Sequence, residues 1–314
     1  MTSDLTTQHK QKGAIKMKKN ITIFLILTMI FLTSCAPNVN DKTTTESTTT
    51  DITTVNFQKE NVIISNNFTW DDYLFIAEKY SHPDITLCDY FSTYYFGTED
   101  NQNFLVSEGE NGDFKYRLFE NKKVFITEYS GDSSTVTIPS VIDGHEVIGV
   151  TCRFDKSEFL PNISLKEVTV DDGIQYIGEA CFENCMMLEK VSLPQSLLCI
   201  DNGAFHGCKA LSKIALPQRL NCIDDSAFFE CGELKQITIP DSVEYLGSYA
   251  FFSCSELECV KLSANVNQLH GSTFYNCSML SSFEAQNLKQ AFEADFHNTK
   301  IDIDSLVENG TEIK

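Results

Sequence analysis

One pattern recurs five times between Leu165 and Leu280, and no residue is inserted between its copies. Each copy starts with a leucine, continues with apolar residues three and five positions later, and ends in Phe-x-x-Cys. The period is 23 residues, because Leu165 is followed by Leu188 and Phe182 by Phe205. The phenylalanines are Phe182, Phe205, Phe228, Phe251 and Phe274, and the cysteines are Cys185, Cys208, Cys231, Cys254 and Cys277. A unit this short cannot bury its apolar face alone, so the copies are predicted to stack on one another.

The start of each unit has the alternation of a short β-strand. Val168 and Val170 flank the polar Thr169, and the same alternation returns in every later copy. The corresponding pairs are Val191 and Leu193, Ile214 and Leu216, Ile237 and Ile239, and Val260 and Leu262. Stacked copies of this strand give a narrow parallel sheet. Because proline lacks a backbone N–H, this strand is predicted to end at Pro194, Pro217 and Pro240.

The rest of each unit predicts a second short apolar segment followed by a turn. The column after that segment holds residue types that tolerate a left-handed backbone, so we place the turn there. Its members are Gly178, Asp201, Asp224, Gly247 and His270. We therefore predict a leucine-rich repeat solenoid with a narrow parallel β-sheet, short β and turn or short-helix segments in each unit, and a cap at both ends.

Two of the units carry a resemblance to a known family. The runs LEKVSLPQSLLCIDNGAFHGCKAL (188–211) and LKQITIPDSVEYLGSYAFFSCSEL (234–257) resemble the BspA-like, or Treponema pallidum-type, leucine-rich repeats of bacterial surface proteins. Residues 129–150 are similar to the opening repeat of that family. Residues 151–163 depart from it, because they replace the expected Ala-Phe-x-x-Cys, and this predicts a loosened or looped-out first unit. The resemblance implies adhesion to host or matrix proteins or to neighbouring cells.

The segments on either side of the repeats are predicted to close the solenoid. Residues 57–113 do not repeat and are interpreted as a non-repeat N-terminal segment or cap, with a helix at 67–80. Residues 114–164 alternate strongly at first, which predicts a hairpin and then a first, divergent repeat. After the five repeats at 165–280, the acidic residues 281–314 lose the leucine register and are predicted to form a C-terminal cap.

The start of the chain has the features of a bacterial lipoprotein leader. Two lysines precede an apolar run that is too short to span about 30 Å of hydrocarbon, which fits a lipoprotein signal peptide over residues 1–34. The sequence Leu-Thr-Ser-Cys that ends at Cys35 resembles a lipobox and predicts lipidation of that cysteine. An uncleaved N-terminal anchor is the alternative. Met17 has the features of a natural start, which makes residues 1–16 a candidate for a mis-assigned extension.

A threonine-rich stretch separates this leader from the rest of the chain. Residues 35–56 contain too few apolar side chains to offset chain entropy, so they are predicted to form a lipidated, disordered tether. The lipid on Cys35 then holds the protein to a membrane. The predicted location is the bacterial cell envelope, exposed outside the cytoplasmic membrane.

Charge and cysteine usage narrow the classes of partner. The formal net charge is −20, and such an acidic surface repels phosphate backbones, so nucleic acid is not predicted as a partner. The repeat cysteines are predicted to form a column of buried thiols, although the rung spacing of about 4.8 Å does not forbid disulfides. A metal site from Cys181, Cys185 and Cys208 is an alternative, although no histidine stands at zinc-ligand spacing nearby. No metal or other cofactor is predicted.

The outward strand positions carry no arrangement of catalytic groups, so no catalytic residue is predicted. His82 and Cys88 are the one nucleophile-and-base pairing in residues 57–113, and the sequence shows no third, orienting group for them. Asp201, Asp224 and Asp225 are candidates for a calcium site. Turn geometry explains the first two of these aspartates, because they share a column with glycines.

The column directly after the buried phenylalanine is different. It holds Glu183, His206, Phe229, Phe252 and Tyr275, so three successive units place a second aromatic ring beside the first. Two interpretations remain open: the rings form a second packing layer, or they form an exposed ridge with the composition of a partner-binding surface. In the second interpretation Phe229, Phe252 and Tyr275, with the neighbouring Tyr245 and Tyr249, are the candidate partner-binding residues.

The sequence as a whole predicts a lipid-anchored surface protein without enzymatic activity. Its partner is predicted to be a protein or a glycan on another cell or matrix, although a repeat scaffold does not by itself establish function. One alternative is an envelope structural or assembly component without an external ligand. The other is a ligand site or enzyme activity in residues 57–113.

Overall fold

The computed structural model describes residues 52–55, 62–65, 105–119, 122–152, 154, 164–308 and 310–313. The chain divides into two compact units, Met1–Ile52 and Thr53–Lys314. The predicted signal peptide and Cys35 lie outside the described residues, as do the predicted helix at 67–80 and the pair His82 and Cys88. Strand β1 (Ile52–Val55) begins near the end of the predicted tether and pairs with β2 (Val62–Ser65).

Three antiparallel strands open the repeat domain. They are β3 (Leu105–Asn111), β4 (Phe114–Phe119) and β5 (Lys123–Tyr129). A short strand, β6 (Thr135–Ile138), follows, and then β7 (Val141–Ile142) pairs antiparallel with β8 (His145–Val150). Because β5 pairs in parallel with β8, with Val124 beside Val147, the hairpin extends a sheet of the solenoid.

The first strands of the units form a parallel sheet in two separate pieces. One piece contains β6, β9 (Glu167–Val170) and β11 (Lys190–Ser192). The other contains β14 (Gln236–Thr238), β16 (Cys259–Lys261) and β17 (Ser282–Glu284). The register advances by one unit per strand in the repeats, since Val168 lies beside Val191 and Val260 beside Phe283. The predicted parallel solenoid is confirmed.

Residues 212–216 lie between the two pieces and form no strand, so the prediction of one at Ile214 and Leu216 is wrong. Both side chains are nevertheless buried. Among the described residues this stretch makes one backbone–backbone hydrogen bond, from the N–H of Lys235 to the carbonyl of Ser212 at 3.3 Å. The alternation of apolar residues indicates which side chains face the core. A β-sheet also requires that the backbones of neighbouring units lie within hydrogen-bonding distance, and the alternation does not indicate this. No neighbouring side chain explains the interruption.

The second strands of the units form a continuous sheet with β8. They are β10 (Tyr176–Ile177), β12 (Cys199–Ile200), β13 (Cys222–Ile223) and β15 (Tyr245–Leu246), paired in parallel in that order. Successive side chains of a strand point to opposite faces. Ile177, Ile200 and Ile223 therefore join the interior core, while the residue before each of them lies on the outer face.

In each of the five repeats the turn contains two left-handed residues four positions apart, and neither lies in the predicted column. The first is Ala180, Gly203, Ser226, Tyr249 or Ser272, with φ between 53° and 62°, and the second lies four residues later. The predicted column lies two residues before the first of these positions. Its glycines serve close packing instead, because a Cβ on Gly247 would lie 2.4 Å from the backbone nitrogen of Asp225.

A stack of aromatic rings runs through the interior. The five repeat phenylalanines have no exposed surface, and the centroids of neighbouring rings lie 5.2 to 5.6 Å apart. Phe154 continues the stack 4.8 Å from Phe182, and Phe296 continues it 6.1 Å from Phe274. The first, divergent unit therefore still supplies a ring, although residues 155–163 lie outside the described part of the chain.

The cysteine column is buried beside this stack. The thiols of Cys208, Cys231, Cys254 and Cys277 each donate a hydrogen bond, at 3.1 to 3.2 Å, to the carbonyl of the phenylalanine one unit earlier. Burial raises the pKa of the Cys208 and Cys254 thiols well above the usual value. Each thiol thus adds a hydrogen bond between units to a carbonyl that also accepts a backbone N–H within its own turn.

The chain after β17 leaves the 23-residue register and forms a terminal unit. Strand β18 (Gln290–Ala291) pairs in parallel with β19 (Glu312–Ile313), and a 3-10 helix (Glu293–Phe296) and helix α1 (Ile303–Glu308) lie between them. The buried carboxyl of Asp295 accepts hydrogen bonds from the backbone N–H of Thr273 at 3.0 Å and of Phe292 at 2.7 Å. Asp295 therefore joins the last repeat to the terminal unit.

Candidate partner-binding surface

Phe229, Phe252 and Tyr275 form a continuous row of stacked rings, which we call the aromatic ridge. The ring centroids of Phe229 and Phe252 lie 4.7 Å apart with planes 5° from parallel, and those of Phe252 and Tyr275 lie 4.9 Å apart with planes 2° from parallel. All three side chains are half-buried. The ridge is therefore neither a fully buried second layer nor a set of free surface rings.

Backbone hydrogen bonds between units fix the spacing of the ridge. The carbonyls of Phe229, Phe252 and Tyr275 each accept an N–H from the preceding unit at 2.8 Å, donated by Gly207, Glu230 and Ser253. These donors are the second left-handed residues of their turns. A hydrogen-bonded ladder holds neighbouring chains about 4.8 Å apart, and the ridge rings take the same spacing. The backbone of the ridge is consequently held from unit to unit by hydrogen bonds.

Histidines continue the ridge at both ends. The ring of His206 meets Phe229 edge-on at 4.7 Å, and the ring of His297 stacks on Tyr275 at 4.8 Å. His206 belongs to the column that the sequence singled out, whereas His297 was missed. The signal for it was available, because His297 directly follows Phe296 just as Tyr275 follows Phe274.

The two additional tyrosines lie in different places. Tyr249 is 45% exposed, and its ring meets Phe252 edge-on at 5.9 Å. Tyr245 instead stacks at a tilt on His270 at 5.3 Å and packs against a second apolar cluster on the outer face of the second sheet. The structure therefore brings Tyr249 to the ridge and places Tyr245 apart from it.

Charged groups border the ridge. Nδ1 of His206 lies 3.5 Å from the Glu183 carboxylate, and Nζ of Lys209 lies 3.9 Å from the Glu230 carboxylate. The Lys209–Glu230 pair is exposed, and an exposed pair contributes about 0 to 1 kcal/mol to stability. Glu256 is exposed as well. The rim consequently carries both signs of charge around an apolar centre.

The candidate calcium ligands have structural roles in the turns. One carboxylate oxygen of Asp201 accepts the N–H of Asn202 at 2.7 Å, and the other accepts the hydroxyl of Tyr176. Asp224 accepts the N–H of Asp225, and Asp225 accepts the N–H of Ser248, both at 2.7 Å. These bonds cap the turn, which accounts for the aspartates at these positions.

Neither a metal cluster nor a membrane-spanning helix is found in the part of the chain that the structure describes. Within it, no group of three or more His, Cys, Asp and Glu residues is placed to hold a metal ion. Burial raises the pKa of the Cys181 and Cys208 thiols, which disfavours the thiolates that zinc binds. Of the helices described, none has the length and apolar character needed to cross a bilayer.

Comparison with known proteins agrees with this architecture. The family model for the BspA type leucine rich repeat region matches residues 153–281 and 199–314. The crystal structure of the leucine-rich repeat protein TpLRR from T. pallidum is similar over 66% of this chain and 98% of that one, with a TM-score of 0.58 and 29% identity. A leucine-rich repeat protein from Bacteroides ovatus is similar over 60% of this chain and 50% of that one, with a TM-score of 0.52 and 29% identity.

A third solved structure is a leucine rich cell surface protein from Faecalibacterium prausnitzii. The similarity covers 61% of this chain and 68% of that one, with a TM-score of 0.50 and 21% identity. At this identity the comparison supports the fold alone. A search of curated protein sequences gives no significant match. The two matches of the family model together span residues 153–314, about half of the chain, and the chain therefore belongs to the BspA-type leucine-rich repeat family.

Proposed function

We propose that this protein is displayed on the bacterial cell surface, is held there by a lipid on Cys35, and binds a protein partner through the aromatic ridge. The observation that carries the proposal is the ridge itself: three half-buried rings, stacked and held by a backbone ladder, with Tyr249 exposed beside them. Aromatic anchors surrounded by charged residues are typical of interfaces between proteins.

The stacking of the ridge favours a protein over a glycan as the partner. Sugars bind aromatic side chains by lying on the ring face, but the faces of Phe252 are covered by Phe229 and Tyr275. The part of each ring that reaches solvent is its edge, which carries partial positive charge. Backbone carbonyls, carboxylates and aliphatic side chains of a protein are suitable groups to meet such edges.

The contacts within the ridge support a binding role as well. Ordering side chains at an interface costs about 0.5 to 1.5 kcal/mol for each flexible side chain. The ridge rings contact one another already, and their backbones are hydrogen-bonded from unit to unit. Binding would therefore require little ordering of these residues.

The proposed location on the cell surface is supported by the leader sequence and by the family. The lysine pair, the short apolar run and the Leu-Thr-Ser-Cys sequence that ends at Cys35 are the features of a lipoprotein leader. Proteins of the BspA type are commonly surface proteins.

Extraction of native membranes with detergent should release the chain, and Cys35→Ala should leave the precursor unprocessed or free the chain from the membrane. Mass spectrometry that finds an unmodified Cys35 in the membrane fraction would contradict the anchoring.

Attachment of bacteria tests the binding proposal. Cells that display the full chain are added to immobilised extracellular matrix proteins, and their attachment is compared with that of cells displaying Phe252→Ala. Truncation of an interface anchor typically costs about 2 kcal/mol, which corresponds to roughly 30-fold weaker binding. We expect Phe252→Ala to abolish most of the attachment that the chain confers.

Val106→Ala is the matched control, because Val106 is an apolar residue of β3 with 58% exposure and lies outside the ridge. Equal attachment by the wild type, Phe252→Ala and Val106→Ala would contradict the ridge as a binding surface. Attachment that is lost only on deletion of residues 57–113 would favour the alternative of a ligand site in that segment. No attachment to any matrix protein would favour an envelope component without an external ligand.

A further inference from the structure

The interruption of the first sheet at residues 212–216 leaves backbone groups of neighbouring units unpaired. In the fourth repeat the N–H of Ile239 donates to the carbonyl of Lys261 in the next unit at 2.8 Å. Leu193 and Leu216 occupy the position of Ile239 in the two preceding units. Their N–H groups make no hydrogen bond in the part of the chain that the structure describes. The regular ladder is therefore missing on both sides of this stretch, which we call the opening.

The core residues beside the opening are less deeply buried than their equivalents in other units. Val191, Ile214 and Leu216 are 8 to 9% exposed, and Leu193 is half-buried. The equivalent residues of the two following units are at most 3% exposed; they are Ile237, Ile239, Val260 and Leu262. Solvent therefore reaches farther between the units here, and the N–H groups of residues 212–216, which have no partner among the described residues, are available to a ligand.

Two lysines without a counter-charge lie at the opening. Lys213 belongs to the stretch itself, and the backbone N–H of Lys235 donates to the carbonyl of Ser212 at 3.3 Å. Both lysines are exposed, and neither forms an ion pair in the described part of the chain. Lys190 of the preceding unit, by contrast, is paired with Glu167. The opening is thus a local site of positive charge in a chain whose formal net charge is −20.

The side chains around the two lysines are small or carry hydroxyl groups. Ala215 is exposed at the centre of the stretch, and Ser192 and Thr238 occupy its position in the units before and after. Short side chains leave the backbone accessible, and clustered N–H groups form sites that bind anions. Carbonyl groups are unpaired here as well, so the charge of a ligand is decided by the lysines, which select an anion.

We propose that the opening binds a single tetrahedral oxyanion, phosphate or sulfate, between Lys213 and Lys235, with backbone N–H groups of residues 212–216 as further donors. The oxygens of a tetrahedral ion point in four directions, so it accepts hydrogen bonds from both sides of the opening at once. A carboxylate has two oxygens in one plane and matches these donors less well. The ion is either free in solution or a monoester group on a larger molecule, and the chemistry of recognition is the same.

The surrounding charges favour an isolated oxyanion over a polyanion. Glu189 and Glu258 are exposed, and they occupy the position of Ser212 and Lys235 in the adjoining units. A polyanion bound at the opening would place its further charges near these carboxylates, and the acidic chain as a whole would repel each of them. A single group meets the two lysines and avoids most of this repulsion. The site is therefore compatible with the exclusion of nucleic acid as a partner.

Equilibrium dialysis of radiolabelled phosphate against the full chain, in a nonionic detergent and at constant ionic strength, tests the site. We expect saturable binding that Lys213→Gln and Lys235→Gln each weaken about tenfold or more, because each removes a charge-assisted hydrogen bond. Lys261→Gln, an exposed lysine of β16 away from the opening, is the control and should bind phosphate as the wild type does. Uptake that does not saturate, or an equal loss in all three variants, would overturn the proposal.

Competition identifies the form of the ligand. Unlabelled sulfate should displace the phosphate, whereas acetate at the same concentration should not; equal displacement by acetate would overturn the assignment of a tetrahedral ion. Glycerol 3-phosphate separates the two sources. Displacement as efficient as that by inorganic phosphate would support a monoester group on a larger molecule as the ligand. Displacement by the inorganic ions alone would support a free ion.

Ala215→Pro tests the backbone donors. Proline removes an N–H group that makes no hydrogen bond among the described residues, so we expect phosphate binding to weaken several-fold while the thermal unfolding temperature changes little. Ala215→Ser keeps the N–H and should bind phosphate as the wild type does. Unchanged binding by a folded Ala215→Pro would overturn the role of the backbone. Should this variant fail to fold, the exposed lysine variants still decide whether the site exists.

Discussion

The interior phenylalanine stack and the aromatic ridge are built from adjacent residues of the same units, yet their surroundings differ. Phe228 and Phe251 lie 5.3 Å apart with no exposed surface, whereas Phe229 and Phe252 lie 4.7 Å apart and are half-buried. The backbone ladder sets the spacing of both rows. Regular stacking is therefore common to the core row and the surface row. The two rows differ in how deeply their rings are buried.

Removal of an interior ring should have the largest effect. Phe228 has rings on both sides at 5.3 Å, so Phe228→Ala leaves a cavity that the stacked units cannot close by collapse. We expect a loss of about 3 to 5 kcal/mol in the free energy of unfolding, measured by chemical denaturation. A loss below about 1 kcal/mol would mean that the interior stack is not the core of the solenoid.

A change at the C-terminal junction should be the next largest, because it affects the ends of both rows. Asp295 is followed by Phe296 and His297, the last rings of the stack and of the ridge. In Asp295→Asn the new amide N–H₂ must face one of the two backbone N–H donors, which leaves that donor unsatisfied. We expect a loss of about 1 to 3 kcal/mol. Asp304→Asn, an exposed position in α1, is the control and should change stability little.

Removal of a ridge ring should destabilise the fold much less than removal of its interior neighbour. Phe252→Ala removes stacking on Phe229 and Tyr275, and aromatic pairs contribute about 0.5 to 1.5 kcal/mol beyond the area they bury. Two such pairs are lost, so we expect a loss of about 1 to 3 kcal/mol in the free energy of unfolding, with Phe251→Ala as the matched interior variant. Equal losses in the two variants would show that the ridge is a second core layer, and the binding proposal would then fail.

Relief of backbone strain beside the ridge should have the smallest effect. Tyr249 adopts φ of 58°, a conformation that costs a non-glycine residue about 1 to 2 kcal/mol. Tyr249→Gly removes this cost, but the glycine loses about 0.5 to 1 kcal/mol more chain entropy on folding. The variant also loses the edge-on contact with Phe252, which contributes about 0.5 to 1.5 kcal/mol. These terms nearly cancel, so we expect the free energy of unfolding to change by less than about 0.5 kcal/mol in thermal unfolding. Ser248→Gly, one residue earlier and without a positive φ, should lose stability instead.

The sequence predicted the parts of the fold that depend on burial. The Phe and Cys columns recur because every unit must fill the same interior position, and a side chain of the wrong size there costs several kcal/mol. Phe154 escaped the prediction because the residues around it do not match the repeat. The strand at Ile214 and Leu216 was predicted wrongly because apolar alternation carries no information on hydrogen bonding.

The turns and the surface were harder to predict. The left-handed positions hold alanine, serine, tyrosine and glutamate as well as glycine and asparagine, so residue type does not identify them. Here the hydrogen bonds between units determine the backbone conformation, even where the residue type does not favour it. Tyr245 and Tyr249 look alike in the sequence, but the first lies in a strand with its side chain on the outer face and the second lies in a turn beside Phe252.

The interruption at residues 212–216 has a mechanical consequence. A solenoid resists bending through the hydrogen bonds that cross from one unit to the next, and on the side of the first sheet this stretch contributes a single such bond. The second sheet and the turn ladder remain continuous across the same unit. The flexural stiffness of the solenoid is therefore lowest near the middle of the repeats, for a lateral force that opens the first sheet.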